Sequence, residues 1–282
     1  MIPAAFAYHR PQSLGDALAL LSEHGAAAKL LAGGHSLLPL LRLRVASTER
    51  IVDIGRLGEL KGVRPGADGS LEIGGLTTYS ELLAGATMPW VKEAVEGIGD
   101  VQVRNRGTVG GAIAHADPAS DLPAIALALG GEIVLQSSSG TRTVPVDEFF
   151  LGPFETAIRS DEILTSIRFP AQPEGATGAY RRIDQPASGY SLVGVAAVAA
   201  MTDGRVGHLR VGVTGVGEAA YRARGVESAM VGSDGGTEAV AAAAEHAVDG
   251  MEVNSDIHAD AAYRSAMARV ITIRALEVAL GR

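Results

Sequence analysis

Two glycine-bearing stretches hold the residues best suited to grip an anionic ligand: Ala32-Gly33-Gly34-His35-Ser36 and Arg106-Gly107-Thr108-Val109-Gly110-Gly111-Ala112. Glycine lets backbone amides approach a ligand with no Cβ in the way, and a helix starting directly afterwards presents unpaired N–H groups and a positive dipole end. The first stretch lies between the apolar run Lys29 to Leu31 and a second apolar pattern from Leu37 to Leu43, so it reads as strand, loop, helix start. A phosphate or pyrophosphate fits there. One Gly-Gly pair also reads as a plain strand-to-helix turn needing positive φ. The second stretch adds the Thr108 hydroxyl and is followed by Asp117-Pro118 and Ser120-Asp121-Leu122-Pro123, where a carboxylate suits a ribose hydroxyl. Two such loops together point to a dinucleotide. Neither carries the six-residue Rossmann glycine fingerprint or a lysine-ending P-loop, so nicotinamide and ATP have little local support.

Other chemistry is poorly served. The seven histidines (His9, His24, His35, His115, His208, His246, His258) show no ligand pair at helical spacing, which favours surface or structural roles except at His35. Ser36 has no base and orienter in order, which disfavours a hydrolase nucleophile. With no cysteine in the chain, disulfides and Cys-ligated zinc or iron–sulfur clusters are excluded, so redox work would rest on an organic cofactor or a partner. The net charge of −8, with 24 Lys plus Arg dispersed along the sequence, leaves no basic stripe for nucleic acid. No apolar run approaches the roughly 20 residues that span a bilayer, and the N-terminus lacks a basic segment followed by a hydrophobic stretch, so a cytoplasmic location is expected.

The elements that must position these loops follow from periodicity and punctuation. Ser13 and Asp16 at capping-box-like spacing, apolar Leu14, Ala17, Leu18 and Leu21, and Gly25 predict a helix over Ser13 to His24. Ile51 to Ile54 reads as a second strand, completing a small α/β unit. Strands are expected at Leu71 to Gly74, Glu132 to Gln136, Thr141 to Val144 and Ile163 to Phe169, the middle two joined by a turn over Ser137 to Gly140. Helices are expected after a cap at Thr77 or Thr78, from Pro89 to Ile98, and from an Asp121 cap to Leu129. The stretch Gly107 to Pro123 reads as too irregular for one element.

The connector Pro170 to Gly178 separates these elements from Tyr180 to Ile183, Leu192 to Met201 and Val206 to Val213, three strands with a turn at Asp203-Gly204. An Ala-rich helical remainder follows from about Arg222, with a final buried stripe at Val270, Ile273, Leu276, Val278 and Leu280.

The segments LLAGGHSLLPLLRLR (Leu30 to Arg44) and RGTVGGAIAHADPASDLP (Arg106 to Pro123), with DEILTSIRFP (Asp161 to Pro170) and TGVGEAAYRARGVE (Thr214 to Glu227), span nearly the whole chain. Together they resemble the FAD-binding medium subunit of the carbon monoxide dehydrogenase and xanthine dehydrogenase family of molybdenum hydroxylases. The resemblance implies an α+β fold: a two-lobed FAD-binding region of the vanillyl-alcohol-oxidase (PCMH) type over residues 1–175, with lobes of about 1–55 and 56–175. A C-terminal domain over 176–282, with a three-stranded antiparallel sheet and helices, would follow.

Carried over by position, the resemblance places Ala32, Gly33, Gly34, His35, Ser36 and Leu37 on one side of the FAD pyrophosphate and Thr108, Val109, Gly110, Gly111 and Ala112 on the other. It places Asp121 at the adenosine portion, Ile163 and Leu164 as apolar groups near the flavin, Arg181 or Arg182 where a lysine commonly contacts it, and Tyr190 close to the isoalloxazine ring. Four positions depart from the family: Ala112 replaces the usual Asn or Ser, Gly189 and Ser191 around Tyr190 replace the Asp and Ala of Asp-Tyr-Ala, and Tyr221 replaces a proline.

The same resemblance implies a small [2Fe-2S] subunit and a large molybdopterin-binding subunit as partners, in a dimer of heterotrimers. The expected role is electron relay through FAD to an external acceptor, which requires no acid–base residue from this chain. The competing readings are a self-sufficient flavin reductase or oxidase of the same fold, and a non-catalytic scaffold that has lost FAD.

Overall fold

The computed structural model describes residues 2–282. The chain begins with a three-stranded parallel sheet. Its elements are β1 (Ala7–His9), α1 (Leu14–His24), β2 (Ala28–Leu31), α2 (Leu37–Arg42) and β3 (Arg50–Asp53), with sheet order β1-β3-β2. Helix α1 starts where the Ser13 hydroxyl accepts the Asp16 N–H at 3.1 Å and stops at Gly25, whose φ is 51°. Ala17, Leu18 and Leu21 on its inner face pack with Val52, Ile54, Leu57 and Leu60, and Leu76 and Ile163 close this core from the next lobe. Strand β1 was not expected from the sequence, because only three residues pair and none of them is fully buried.

The second lobe is an antiparallel sheet flanked by short helices. In chain order it comprises β4 (Val63–Pro65), β5 (Leu71–Gly74), α3 (Tyr79–Gly85), α4 (Pro89–Glu96), α5 (Val101–Arg104), α6 (Val109–His115), α7 (Asp121–Leu129), β6 (Glu132–Ser137), β7 (Gly140–Pro145), β8 (Phe150–Gly152), β9 (Glu155–Thr156) and β10 (Ile163–Phe169). The sheet order is β4-β5-β10-β6-β7, and β8 with β9 forms a separate hairpin. Thr78 and Glu81 make a reciprocal capping box at the start of α3. The glycine-rich segment thought too irregular for one element contains α6, which Thr108 caps. All nine residues of α7 are buried.

The last third is a sheet clasped between helices. Strands β11 (Thr177–Asp184), β12 (Ser191–Thr202), β13 (Arg205–Thr214) and β14 (Tyr221–Arg222) lie in that order, antiparallel. The three expected strands are present, and the two-residue β14 makes the sheet four-stranded. Strand β12 alternates by period two: Ala196 and Val198 pack toward α7, and Val195, Ala197 and Ala199 toward the opposite face.

That opposite face is covered by α8 (Arg224–Met230), α9 (Thr237–Ala244) and α10 (Ala261–Ala279). The buried stripe of α10 runs through Arg264, Ala268, Ile271, Thr272, Ala275, Leu276 and Ala279. Of the expected set Leu276 is fully buried and Ile273 and Leu280 are partly so, while Val270 and Val278 give way to Ala268, Ala275 and Ala279 against the closely packed sheet. Arg264, 4% exposed, donates from Nη1 to the carbonyls of Leu192 and Gly215 and pairs with Asp256, tying α10 to the end of the sheet where β12 begins and β13 finishes. Among the described residues, no helix is long and apolar enough to cross a membrane.

Candidate cofactor-binding site

The first glycine loop leaves the carboxyl end of β2 and enters α2 within six residues. Gly34 turns the chain at φ 80°, a conformation that disfavours any side chain. Leu38 N–H donates to the Gly34 carbonyl and Leu40 N–H to the Ser36 carbonyl, while the N–H groups of Gly33 to Leu37 find no acceptor among the described residues. His35 folds back, with Nδ1 3.2 Å from the Gly33 carbonyl oxygen. The product is a run of five backbone donors left free on one bend.

The second loop is built differently. Thr108 Oγ1 accepts the Gly111 N–H at 3.1 Å, its carbonyl accepts the Ala112 N–H, and the N–H groups of Val109 and Gly110 go to the carbonyls of Thr77 and Gly75. Four successive amides are therefore committed inside the protein, while the Thr108 hydroxyl keeps a proton to donate. A Cβ on Gly110 would lie 2.6 Å from the Gly75 carbonyl oxygen, so glycine here permits close backbone packing. The loops also touch each other: a Cβ on Gly33 would sit 2.0 Å from the Arg106 carbonyl oxygen.

Both loops open on one cavity of about 720 Å³, inside the range of roughly 300–1,000 Å³ usual for small-molecule sites. Of the residues proposed from sequence, Ala32, Gly33, Gly34, His35, Ser36, Leu37, Thr108, Gly110, Gly111, Ala112, Asp121, Ile163, Leu164 and Tyr190 line it. Val109 is buried behind the loop, and Arg181 and Arg182 are not on the cavity wall. Arg181 pairs with Glu93 at 2.9 Å, whereas Arg182 pairs with Asp121 and with Asp184 at 2.6 Å. No residue of β11 lines the cavity, although Tyr180 and Arg182 reach Asp121, which does.

Asp121 is the first residue of α7, with Ser120 at the cap position, so its carboxylate is free to serve other partners. Its Oδ1 accepts the Ser191 hydroxyl at 2.6 Å and the Tyr180 hydroxyl, and its Oδ2 faces Arg182. Burial pushes the Asp121 carboxyl up, opposed by Arg182 and the two hydroxyls. Sequence reasoning had no means of finding this network, because its members are 59 to 70 residues from Asp121 in the chain. It also missed Lys29, His115 and Arg159, which line the cavity from a strand, the end of α6 and a loop. Burial holds the His115 imidazole below its ordinary range, and its ring packs against Phe154 with centroids 5.0 Å apart. Tyr190 stands at the mouth, 47% exposed, in the turn between β11 and β12.

The family model for the FAD binding domain in molybdopterin dehydrogenase matches residues 4–172, and that for the CO dehydrogenase flavoprotein C-terminal domain matches residues 178–279. The chain belongs to this flavoprotein family. A carbon monoxide dehydrogenase medium chain from Hydrogenophaga pseudoflava is 42% identical over 287 residues, covering 100% of this chain and 99% of that one. A glyceraldehyde dehydrogenase medium chain from Sulfolobus acidocaldarius is 36% identical over 281 residues, covering 98% and 99%. Among solved structures, the H. pseudoflava carbon monoxide dehydrogenase that lacks the Mo-pyranopterin moiety matches with a TM-score of 0.96 at 42% identity, over 100% and 99% of the two chains.

For a chain of this flavoprotein family the cavity is chemically apt. Five free amides at Gly33 to Leu37 suit a diphosphate, which is anionic and rich in acceptors. Apolar Ile163, Leu164 and Leu40 supply a wall for a fused ring, and Tyr190 supplies an aromatic edge. Ala112 lines the cavity with a methyl group and uses its N–H on Thr108, so the missing family side chain leaves the loop's backbone frame intact.

Proposed function

We propose that this chain is the FAD-carrying subunit of a heteromeric molybdenum hydroxylase. It takes electrons from the [2Fe-2S] clusters of a small partner subunit, while a large molybdopterin-binding subunit performs the substrate chemistry, in a dimer of heterotrimers. The observation that carries this reading is the cavity shared by the two glycine loops, with five unpaired N–H groups on one side, in a chain without cysteine. FAD, when bound, supplies conversion between one-electron and two-electron transfer.

The chain's own share is binding and orientation. Amides of Gly33 to Leu37 grip the diphosphate, the Thr108 hydroxyl meets it from the second lobe, and the Asp121 carboxylate accepts from the adenosine portion. Ile163 and Leu164 hold water off one face of the ring, and Tyr190 controls access at the mouth. Arg182 serves the site through Asp121, which it holds in place together with Tyr180 and Ser191. With FAD held there, the exposed Tyr190 would border the opening that an external electron acceptor would approach.

Purification from its native host tests this reading. The expected preparation is yellow, with about one FAD per chain and co-purifying chains that contain iron and molybdenum, while the separated chain shows only slow, unselective diaphorase activity. A colourless protein that FAD cannot reconstitute would overturn it.

A further inference from the structure

One buried tyrosine hydroxyl on the cavity wall takes no part in the chain's own hydrogen bonding. Tyr79 is the first residue of α3, 8% exposed, and its N–H donates to the Gly107 carbonyl at 3.1 Å. Its ring edge packs on Gly107, where a Cβ would lie 2.9 Å from Cε2. The capping box of Thr78 and Glu81 fixes the backbone at Tyr79, and Gly107 admits the ring edge. Among the described residues its hydroxyl has no hydrogen-bond partner, whereas those of Tyr180 and Tyr221 donate to Asp121 and to the Ala247 carbonyl.

That hydroxyl is also not sealed in. The sealed, unpartnered side-chain polar atoms among the described residues are His9 Nε2, His208 Nε2 and Thr272 Oγ1, so Tyr79 Oη opens on the cavity that its residue lines. A polar group so far withdrawn from bulk water is unfavourable unless something pairs with it. Burial first, and the nearby Tyr190 and Asp121 second, raise the phenol and keep it protonated, so what it offers is a donor.

We infer that the Tyr79 hydroxyl donates a hydrogen bond to the dinucleotide held in this cavity, as a binding residue of the second lobe. The inference rests on the reading that the cavity takes FAD. A buried tyrosine hydroxyl ordinarily finds a partner; here the ring packs on Gly107 and its polar tip faces the space left for the ligand.

The test is Tyr79→Phe in the full chain, with FAD affinity measured by flavin fluorescence and the melting temperature measured without FAD. Expected is FAD binding weaker by about threefold to tenfold, the worth of one hydrogen bond, with the FAD-free melting temperature unchanged because no internal bond is lost. Tyr180→Phe, which strips a donor from buried Asp121, should instead lower that melting temperature. Equal FAD affinity in Tyr79→Phe and the parent would overturn the inference, because solvent would then be the partner. A fall in FAD-free stability that accounts for the whole affinity loss would overturn it too. Failure of the parent itself to bind FAD would sink the functional reading; a parent that binds, beside an unaltered variant, would sink this inference alone.

Discussion

The two glycine loops share a composition and a cavity, yet they use glycine for opposite ends. At Gly33 and Gly34 the absent side chains let the backbone bend so that five N–H groups stay free. At Gly110 and Gly111 they let α6 press against Gly75 and receive the Thr108 cap, and the amides are consumed in doing so. A glycine motif therefore does not by itself identify a ligand cradle. What distinguishes the two is where the neighbouring N–H groups go.

That contrast is most directly broken at Gly33 and Gly110. Gly33→Ala drives a methyl onto the Arg106 carbonyl, should cost about 3 kcal/mol, and should abolish FAD retention, since it parts the loops at their contact. Gly110→Ala meets the Gly75 backbone at 2.6 Å and should cost about 1–3 kcal/mol, lowering urea stability of the FAD-free protein more than it lowers FAD affinity. Equal affinity losses with equal stability losses at both sites would erase the distinction.

A milder probe is Thr108→Val, which keeps the shape and removes the cap of α6. A loss of about 1 kcal/mol is expected in thermal or urea unfolding without FAD. If stability held while FAD binding fell, the second loop would be a direct ligand cradle like the first.

The smallest effect concerns pH. Burial holds His115, at the end of α6, and His208, on β13, below the ordinary imidazole range. As pH falls, the unfolded chain therefore takes up protons first, near its usual value of about 6.5. The associated stability is complete above that pH, declines as pH falls toward the depressed folded values, and levels off below them. Melting of the FAD-free protein across this range should show a downward slope on acidification, and His115→Gln should flatten it. An unaltered slope would remove the second loop's helix from the acid response.

Much of this architecture was readable in the sequence where local rules suffice. Ser13 and Gly25 bracket α1, the Ser137 to Gly140 turn joins β6 to β7, and Ile163 to Phe169 is a strand as written. The two loops stood out as candidates because they occur as a pair, although glycine before a helix serves a plain turn equally well, and the sequence does not show which loop keeps its amides free. Helix α6 was hidden because Gly110 and Gly111 erase the apolar period that announces a helix, although its cap at Thr108 was in plain sight. The α10 stripe was misplaced because alanines carry weak hydrophobic signals, and close packing on β11 and β12 selects them over the larger Val270 and Val278. Arg182 and Tyr79 were beyond reach for a different reason. The partner that Arg182 has and the partner that Tyr79 lacks are decided by chain segments brought together only on folding.

Helix α7 has no wet side: its nine residues are buried between the second lobe's core and strands β12 and β13. A chain halted before β11 would bare that greasy cylinder and strip Asp121 of Tyr180, Ser191 and Arg182 together. The carboxy-terminal third is accordingly no interchangeable cassette. A chimera between relatives must import α7 along with β11 to β13, or inherit a seam whose two faces were shaped for different neighbours.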